Sequence, residues 1–258
     1  MQDAPSQVKI GCGRCDQPLN FSFTFAFQPI VNVREQSIWG YEALVRGCEQ
    51  QSARWVLDQV TGDNLYTFDQ VCRVTAIRLA AQLNLQQILS INFLPNAVYE
   101  PAHCIRSTLA AAREVGFPAE RIMFEITESE QVHDPEHLTR IFNHYRQQGF
   151  ITALDDFGAG HAGLNLLARF TPGLMKIDRE LVSGVHQSQA RQVIVRALCQ
   201  ICEQLNIQVL AEGVETQDEA AWLYQQGISL MQGYYFAYPG FETLPQVDFS
   251  GVLAFASR

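Results

Sequence analysis

Hydrophobic residues recur along this chain in short runs that predict β-strands. From residue 23 onward, eight runs rich in β-branched and aromatic residues are bounded by polar or turn-forming residues. They span residues 23–33, 38–45, 88–93, 122–126, 150–154, 174–177, 207–210 and 228–231. Between most of them, apolar residues lie three or four positions apart, most clearly over residues 65–83, as one face of a helix requires. The pattern therefore predicts strands that alternate with helices.

Strands that alternate with helices form parallel βαβ units. The first two runs are the exception, because the residues between them, 34–37, are too few for the crossover that parallel neighbours need. We expect these two strands to pair antiparallel. The prediction is an α/β fold, a modified TIM (β/α)8 barrel whose first strand is antiparallel to the rest. An open, doubly wound sheet is the alternative.

The composition is that of one large globular domain. The chain has 258 residues, of which 47% are hydrophobic and 17% charged, and α/β barrels of about 250 residues are routinely single domains. Residues 1–22 are polar and rich in turn-forming types, so they are predicted to be an irregular tail. Residues 23–258 are predicted to form the domain.

The negative net charge and the shortness of the apolar runs argue against two classes of partner, nucleic acids and membranes. A formal net charge of −9 argues against a DNA- or RNA-binding protein, which usually presents a basic face to phosphates. No apolar run reaches the roughly 18 residues that span a bilayer, and the start lacks a secretory signal pattern. We therefore expect a cytoplasmic protein that contacts no membrane.

The seven cysteines are too sparse for a disulfide scaffold and are expected to be reduced. Cys12 and Cys15 in the tail have the spacing of half a zinc site, and a tail without metal is the alternative. Cys199 and Cys202 share that spacing but lie in an amphipathic stretch. There they are predicted to pack as small apolar residues on one helix face.

Polar residues stand near the ends of seven predicted strands, where an α/β barrel gathers its catalytic groups. They are Glu42, Asn92, Glu125, Asp155, Asp156, Lys176, Glu212 and Gln232. A single acid of this kind is usually a surface or ion-paired residue, but agreement among seven strands indicates a site. Carboxylates that converge on one mouth raise one another's pKa unless cations neutralise them. The arrangement predicts bound metal, with Lys176 as a fixed cation among the acids.

The predicted ligands are carboxylate and amide oxygens, without histidine or cysteine. Such hard ligands favour Mg²⁺ or Mn²⁺ over structural zinc. Five acids exceed what one ion needs, whereas two ions about 3.5–4 Å apart serve in-line attack on a phosphate diester. We expect two metal ions and no organic cofactor.

The sequence around these residues resembles that of the EAL phosphodiesterase family. Glu42-Ala43-Leu44-Val45-Arg46 is similar to the motif that names the family, and further blocks lie before and after it, in family order, between residue 23 and about residue 245. These blocks are Gln28-Pro29-Ile30, Asn92-Phe93-Leu94-Pro95, Glu125-Ile126-Thr127-Glu128, Asp155-Asp156-Phe157-Gly158-Ala159-Gly160, Lys176-Ile177-Asp178, Glu212-Gly213-Val214-Glu215 and Gln232-Gly233-Tyr234-Tyr235-Phe236. A single block of this kind can occur by chance, but so many blocks in the same order are specific to the family.

The resemblance implies an EAL phosphodiesterase domain over residues 23–258 that hydrolyses cyclic di-GMP to linear pGpG with Mg²⁺ or Mn²⁺. It also implies a homodimer. The ligands of one ion would be Glu42, Asn92, Glu125 and Asp155, and those of the other Asp155, Asp156 and Glu212. Lys176 would orient the attacking water, and Glu212 would also be the general base. The substrate contacts would be Gln28, Leu44, Arg46, Gln232 and Pro239.

The resemblance gives Glu128 another role, that of holding the glycine-rich loop over residues 156–163 so that Asp156 stays on its ion. A solvent-facing acid is the alternative. The loop departs from the family at Ala159, His161, Ala162 and Gly163, where Thr and then Tyr-Ser-Ser are usual. None of these is a ligand position. His161 is interpreted as a solvated loop residue, with a catalytic acid as the alternative.

Two other functions compete with hydrolysis. A catalytically inactive receptor of cyclic di-GMP is the first, but degenerate members of the family lose ligand acids, and every matched position is filled here. An unrelated metal-dependent barrel enzyme is the second, and it rests on fold analogy alone. It does not account for Gln28, Arg46 and Gln232 together.

Overall fold

The computed structural model describes residues 19–98, 100–127, 134–160 and 163–251. Five residues singled out in the sequence lie outside these ranges: Cys12, Cys15, Glu128, His161 and Ala162. Their roles, and the tail boundary at residue 22, stay predictions. Within the described ranges, no helix is long and apolar enough to cross a membrane.

The described residues form strands and helices that alternate over most of the chain. The strands are β1 Phe23–Asn32, β2 Ser37–Gly47, β3 Ile88–Asn92, β4 Ile122–Thr127, β5 Ile151–Phe157, β6 Leu174–Ile177, β7 Gln208–Ala211, β8 Leu230–Met231 and β9 Gly240–Phe241. The helices are α1 Ala53–Leu57, α2 Leu65–Gln82, α3 Pro101–Cys104, α4 Arg106–Glu114, α5 Pro135–Gln147, α6 Gly163–Leu167, α7 Arg179–Val182, α8 Gln189–Leu205 and α9 Gln217–Gln225. The eight predicted strands are confirmed, whereas the two-residue β9 was not predicted.

Strands β1 to β8 close into a barrel. Each strand from β2 to β7 pairs in parallel with the strand that follows it, and β1 closes the ring by pairing antiparallel with both β2 and β8. The short β9 adds to β1 at the level of Ala26 and Phe27. The barrel with its reversed first strand is confirmed, and the open doubly wound sheet is wrong.

The tight turn between β1 and β2 has a local cause. The Asn32 side chain accepts hydrogen bonds from the backbone N–H groups of Arg34 and Glu35, both at 3.1 Å. Such an Asx turn reverses the chain without a crossover. Gln28 on β1 and Glu42 on β2 thereby become direct cross-strand partners.

An apolar layer lies inside the barrel beneath its mouth. It is formed by Ile30, Met123, Ala153, Leu174, Leu210 and Leu230. Each lies two positions from a polar residue of the predicted site; Leu174, for example, precedes Lys176, and Leu210 precedes Glu212 by the same interval. Since side chains alternate across a strand, both members of each pair face the interior. The layer therefore forms an apolar floor under the polar mouth.

The helices pack around the strands through a larger apolar core. Cys202 is fully buried in this core, with its Sγ 3.7 Å from Met175 Sδ, and Cys199 packs partly buried against it. The apolar interpretation of this pair on α8 is confirmed. Among the described residues, five cysteines are free thiols: Cys48, Cys72, Cys104, Cys199 and Cys202.

A carboxylate-rich candidate active site at the barrel mouth

The structure brings the predicted polar residues together at one end of the barrel. Glu42, Glu125, Asp155 and Lys176 lie in strands β2, β4, β5 and β6, and all four are buried. Asn92 ends β3, whereas Glu212 and Gln232 directly follow β7 and β8. Asp155 and Asp156 lie within β5, which extends to Phe157, rather than just after it as predicted.

The Lys176 ammonium lies at the centre of this cluster. Its Nζ is 2.7 Å from Glu212 Oε1, 2.9 Å from Glu125 Oε2, 3.0 Å from Asp155 Oδ1 and 3.6 Å from Glu42 Oε2. The lysine side chain is fully buried. One cation thus faces four carboxylates, so the cluster carries excess negative charge whenever the acids are ionised.

That excess charge shifts the pKa values of the acids. Burial, together with the charges of Glu42 and Asp155, raises the pKa of Glu125 to about 8 against the lowering effect of Lys176. Burial and Asp155 likewise raise the pKa of Glu212 well above its usual range. Burial disfavours the charged form of Lys176, but the surrounding carboxylates outweigh it and raise the lysine pKa. Additional positive charge would therefore be strongly stabilised here.

The carboxylate oxygens are spaced for metal binding. One group of three comprises Glu42, Glu125 and Asp155, and a second comprises Asp155, Asp156 and Glu212. Within each group, one oxygen from every residue lies within 4.8 Å of the others. Asp155 belongs to both groups, which is the arrangement expected of a carboxylate shared by two ions. The set is composed of hard oxygen donors, as Mg²⁺ and Mn²⁺ prefer.

An unpaired oxygen supports the same interpretation. Glu125 Oε1 is buried and accepts no hydrogen bond from any described residue, although a buried polar atom normally has a partner. A cation beside Glu42, Glu125 and Asp155 would supply the missing interaction. The residues present therefore fit a bound metal ion.

A backbone irregularity places Asp156 in the site. In a regular strand Asp156 would face away from Asp155, because successive side chains alternate. Instead, the β5–β6 pairing shifts register between Leu154 and Phe157, and Asp156 has a left-handed φ of 53°. This bulge lets both carboxylates reach the second group. Burial, and next the Asp155 charge, raise the pKa of Asp156 to about 6.

Two side-chain amides hold the orientation of Glu42, and a third, that of Gln28, positions one of them. Asn92 Nδ2 donates to Glu42 Oε1 at 2.9 Å, and Gln232 Nε2 donates to Glu42 Oε2 at 2.8 Å. Gln232 Nε2 also lies 3.2 Å from Gln28 Oε1, and Gln28 Nε2 donates to the Ala237 carbonyl at 3.2 Å. Glu42 is thus held by its neighbours before any ligand arrives.

Two cavities open near the mouth, one lined by Glu42 and the other by its neighbour Ala43. The first, of about 180 Å³, is polar and is lined by Gln28, Glu42, Glu212, Gln232 and Tyr234, with Arg179, Gly213, Glu215 and Gly233. The second, of about 330 Å³, is mostly apolar and includes Leu44, Asn92 and Thr127 in its lining. Six predicted metal-ligand or substrate-contact residues thus line a cavity: Gln28, Glu42, Leu44, Asn92, Glu212 and Gln232. Arg46 and Pro239 are half-buried and are not among the lining residues of these two cavities.

A buried ion pair behind β3 was missed by the sequence analysis. On α2, Arg73 is fully buried and pairs with Asp69, and its Nη1 donates to the Tyr145 hydroxyl at 2.9 Å. Asp69 Oδ1 accepts the Leu94 backbone N–H at 3.0 Å, two residues beyond Asn92. The pair therefore supports the chain segment that follows Asn92. The sequence feature that could have revealed this ion pair is two opposite charges four positions apart on the apolar face of a predicted helix.

Comparison with known proteins agrees with this geometry. Residues 17–239 match the EAL domain family model. A standalone EAL protein from Vibrio cholerae O395, solved with c-di-GMP bound, is 55% identical with a TM-score of 0.88, over 91% of this chain and 99% of that one.

Two curated relatives come from Escherichia coli K12. The blue light- and temperature-regulated antirepressor BluF is 34% identical over 86% of this chain and 56% of its own length. The probable cyclic di-GMP phosphodiesterase PdeN is 28% identical over 88% of this chain and 44% of its own. The chain spans about half the length of these curated relatives. It belongs to the EAL domain family.

Proposed function

We propose that the protein is a metal-dependent phosphodiesterase that hydrolyses cyclic di-GMP to linear 5′-pGpG. The observation that carries the proposal is the pair of carboxylate groups that share Asp155 around the buried Lys176. Two relatives support the choice of substrate: one was solved with c-di-GMP bound, and the other is a probable cyclic di-GMP phosphodiesterase.

The competing function is a protein that binds cyclic di-GMP or a partner without cleaving it. The BluF relative is described as an antirepressor, so family membership alone does not specify hydrolysis. The complete ligand set favours hydrolysis here. A binding protein has no need for four acids within ion-pair distance of one buried lysine and a fifth acid, Asp156, beside them, because burial and this crowding raise the pKa values of Glu125 and Asp156.

The metal is Mg²⁺ or Mn²⁺ in this proposal, with two ions per site. Glu42, Asn92, Glu125 and Asp155 would hold one ion, and Asp155, Asp156 and Glu212 would hold the other. When bound, the ions lower the pKa of the attacking water and neutralise charge on the phosphate.

Residues of the chain take part in proton transfer from the attacking water. Glu212, which lies at the mouth within ion-pair distance of Lys176, accepts the proton of the attacking water. Lys176 Nζ, 2.7 Å from Glu212 Oε1, orients that carboxylate and the water. A P–O bond forms from the water oxygen as the bond from phosphorus to the 3′-oxygen breaks. The leaving 3′-oxygen takes its proton from solvent water, and Glu212 afterwards returns the proton that it accepted to solvent, so that one water is consumed in all.

The direct test is incubation of the purified protein with cyclic di-GMP and Mn²⁺, followed by chromatography of the nucleotides. We expect stoichiometric pGpG, and none when EDTA replaces the metal. Tight binding of cyclic di-GMP without any pGpG would instead identify the protein as a receptor.

We further propose that the protein is a cytoplasmic homodimer. The free thiols suit a reducing compartment. Exposed apolar side chains lie at the predicted contact surface: Leu164 on α6 is 62% exposed, and Val193 and Ile194 on α8 are 58% and 45% exposed. Apolar exposure of this kind is typical of an interface.

Light scattering tests the dimer. The wild-type protein at tens of micromolar is expected to have twice the mass of the 29.0 kDa chain. Val193→Asp with Ile194→Asp is expected to give a monomer, since two charges would be buried unpaired. Trp55→Asp, at an exposed apolar residue on α1, is the matched control and should stay dimeric. A wild-type monomer would refute the proposal.

A further inference from the structure

Two tyrosine rings are stacked on each other at the rim of the mouth. The rings of Tyr234 and Tyr238, in the segment after β8, have centroids 4.4 Å apart and an interplanar angle of 26°. The side chains are nevertheless 49% and 67% exposed. Stacked aromatic pairs contribute most when they are buried, so core packing does not account for this pair.

The pair adjoins the site. Tyr234 lines the cavity of about 180 Å³ that also contains Glu42, Glu212 and Gln232. A ligand whose phosphate lies over the carboxylates would therefore extend its other groups towards this rim. If those groups are neutral nucleobases, the carboxylates do not attract them, whereas an aromatic surface can stack on them.

The segment that carries the rings is hydrogen-bonded to residues that adjoin the acid cluster. The Tyr235 N–H donates to the Val214 carbonyl at 3.0 Å, and Gln28 Nε2 donates to the Ala237 carbonyl. Gly233 packs so closely on Val214 that an added Cβ would lie 2.0 Å from its carbonyl oxygen. The two rings are thus presented on a braced backbone, at a constant position relative to Glu42.

We propose that Tyr234 and Tyr238 form a stacking platform for one guanine base of the cyclic dinucleotide. The inference rests on the proposed function and names a further substrate-binding element of the same site. Every base has a π-face, so stacking supplies affinity without choosing among bases. The pair therefore acts on substrate binding rather than on the bond-breaking step.

Tyr238→Ala tests the platform, because its side chain is the more exposed of the two and its loss leaves the fold intact. Cyclic di-GMP binding is measured by calorimetry in Ca²⁺, which takes looser coordination than Mg²⁺ and is expected not to support turnover. We expect the Kd to rise about 10-fold, within the range for loss of one base–aromatic stack. In Mn²⁺, KM should rise by a similar factor while kcat stays within about twofold.

Conservative and distant variants complete the test. Tyr238→Phe and Tyr238→Trp keep a flat ring and should bind within about twofold of wild type. Trp55→Ala, at an exposed ring on α1 that lines neither cavity, should bind as wild type does. Wild-type affinity in Tyr238→Ala, or weakened binding in Tyr238→Phe, would overturn the stacking platform.

The outcomes separate the platform from the proposed activity. A wild-type protein that binds cyclic di-GMP in Ca²⁺ but forms no pGpG in Mn²⁺ refutes the hydrolysis, and the platform is then judged on the Kd values. Hydrolysis by the wild type with an unchanged Kd and KM in Tyr238→Ala refutes the platform alone.

Discussion

Glu42→Ala is expected to abolish hydrolysis of cyclic di-GMP while leaving the barrel folded. The substitution removes one ligand of the group formed with Glu125 and Asp155, and it frees the amides of Asn92 and Gln232 that now hold the carboxylate. Metal-ion catalysis supplies several kcal/mol of transition-state stabilisation, so kcat/KM should fall at least about a thousandfold.

The fold should tolerate this change because it removes one of four negative charges around Lys176. We expect thermal unfolding within a few degrees of wild type, and calorimetry with Mn²⁺ should show weaker binding or fewer ions. Glu49→Ala, at an exposed acid just beyond β2, is the control and should match wild type in both measurements. Strong residual turnover in Glu42→Ala would refute the two-ion assignment.

Lys176→Met is expected to lower both activity and stability, and to lower stability more at high pH. Removal of the buried cation leaves Glu125, Asp155 and Glu212 without their fixed partner. Breaking a buried ion pair from one side costs about 3–5 kcal/mol, which predicts a Tm lower by roughly 10 °C for a chain of this size. Hydrolysis should be lost as well, since Lys176 orients the water.

The pH dependence follows from the raised pKa of Glu125. A carboxyl group with a pKa of about 8 in the folded protein and an ordinary value in the unfolded chain binds more protons when folded. Stability of the metal-free protein therefore falls as pH rises from about 4.5 towards 8. Without the lysine these carboxyl pKa values rise further, so the loss in Tm should be greater at pH 8 than at pH 5.

Scanning calorimetry in EDTA at pH 5 and pH 8 measures this difference. Arg113→Met, at an exposed cation on α4, is the matched control and should leave Tm unchanged at either pH. An equal Tm for Lys176→Met and wild type at pH 8 would show that the lysine is not the internal counter-ion of the cluster.

Much of this architecture could be predicted because successive side chains of a strand point to opposite faces of the sheet. A polar residue two positions beyond a buried apolar one, as in Leu174 and Lys176, identifies an inward-facing side chain near the end of a strand. The four-residue connection between the first two runs likewise required the antiparallel pair. These features depend only on local spacing.

Other features depend on contacts between distant residues and could not be predicted. Alternation alone would have turned Asp156 away from Asp155; only the bulge and the positive φ of Asp156 bring both carboxylates to one site. The pair of Tyr234 and Tyr238 follows from how the segment after β8 is tied to Val214. No spacing rule connects those positions.

The reversed first strand sets the order in which the site can assemble as the chain is made. A tight local turn brings Gln28 and Glu42 together. Because these two residues are close in sequence, their pairing loses little loop-closure entropy. Gln232, which clamps the other side of Glu42, comes 204 positions after Gln28. Ring closure between β1 and β8 must wait for that last strand. A nascent chain on the ribosome is therefore expected to carry an open sheet with an incomplete acid cluster, and to acquire metal affinity only when synthesis of the barrel is complete.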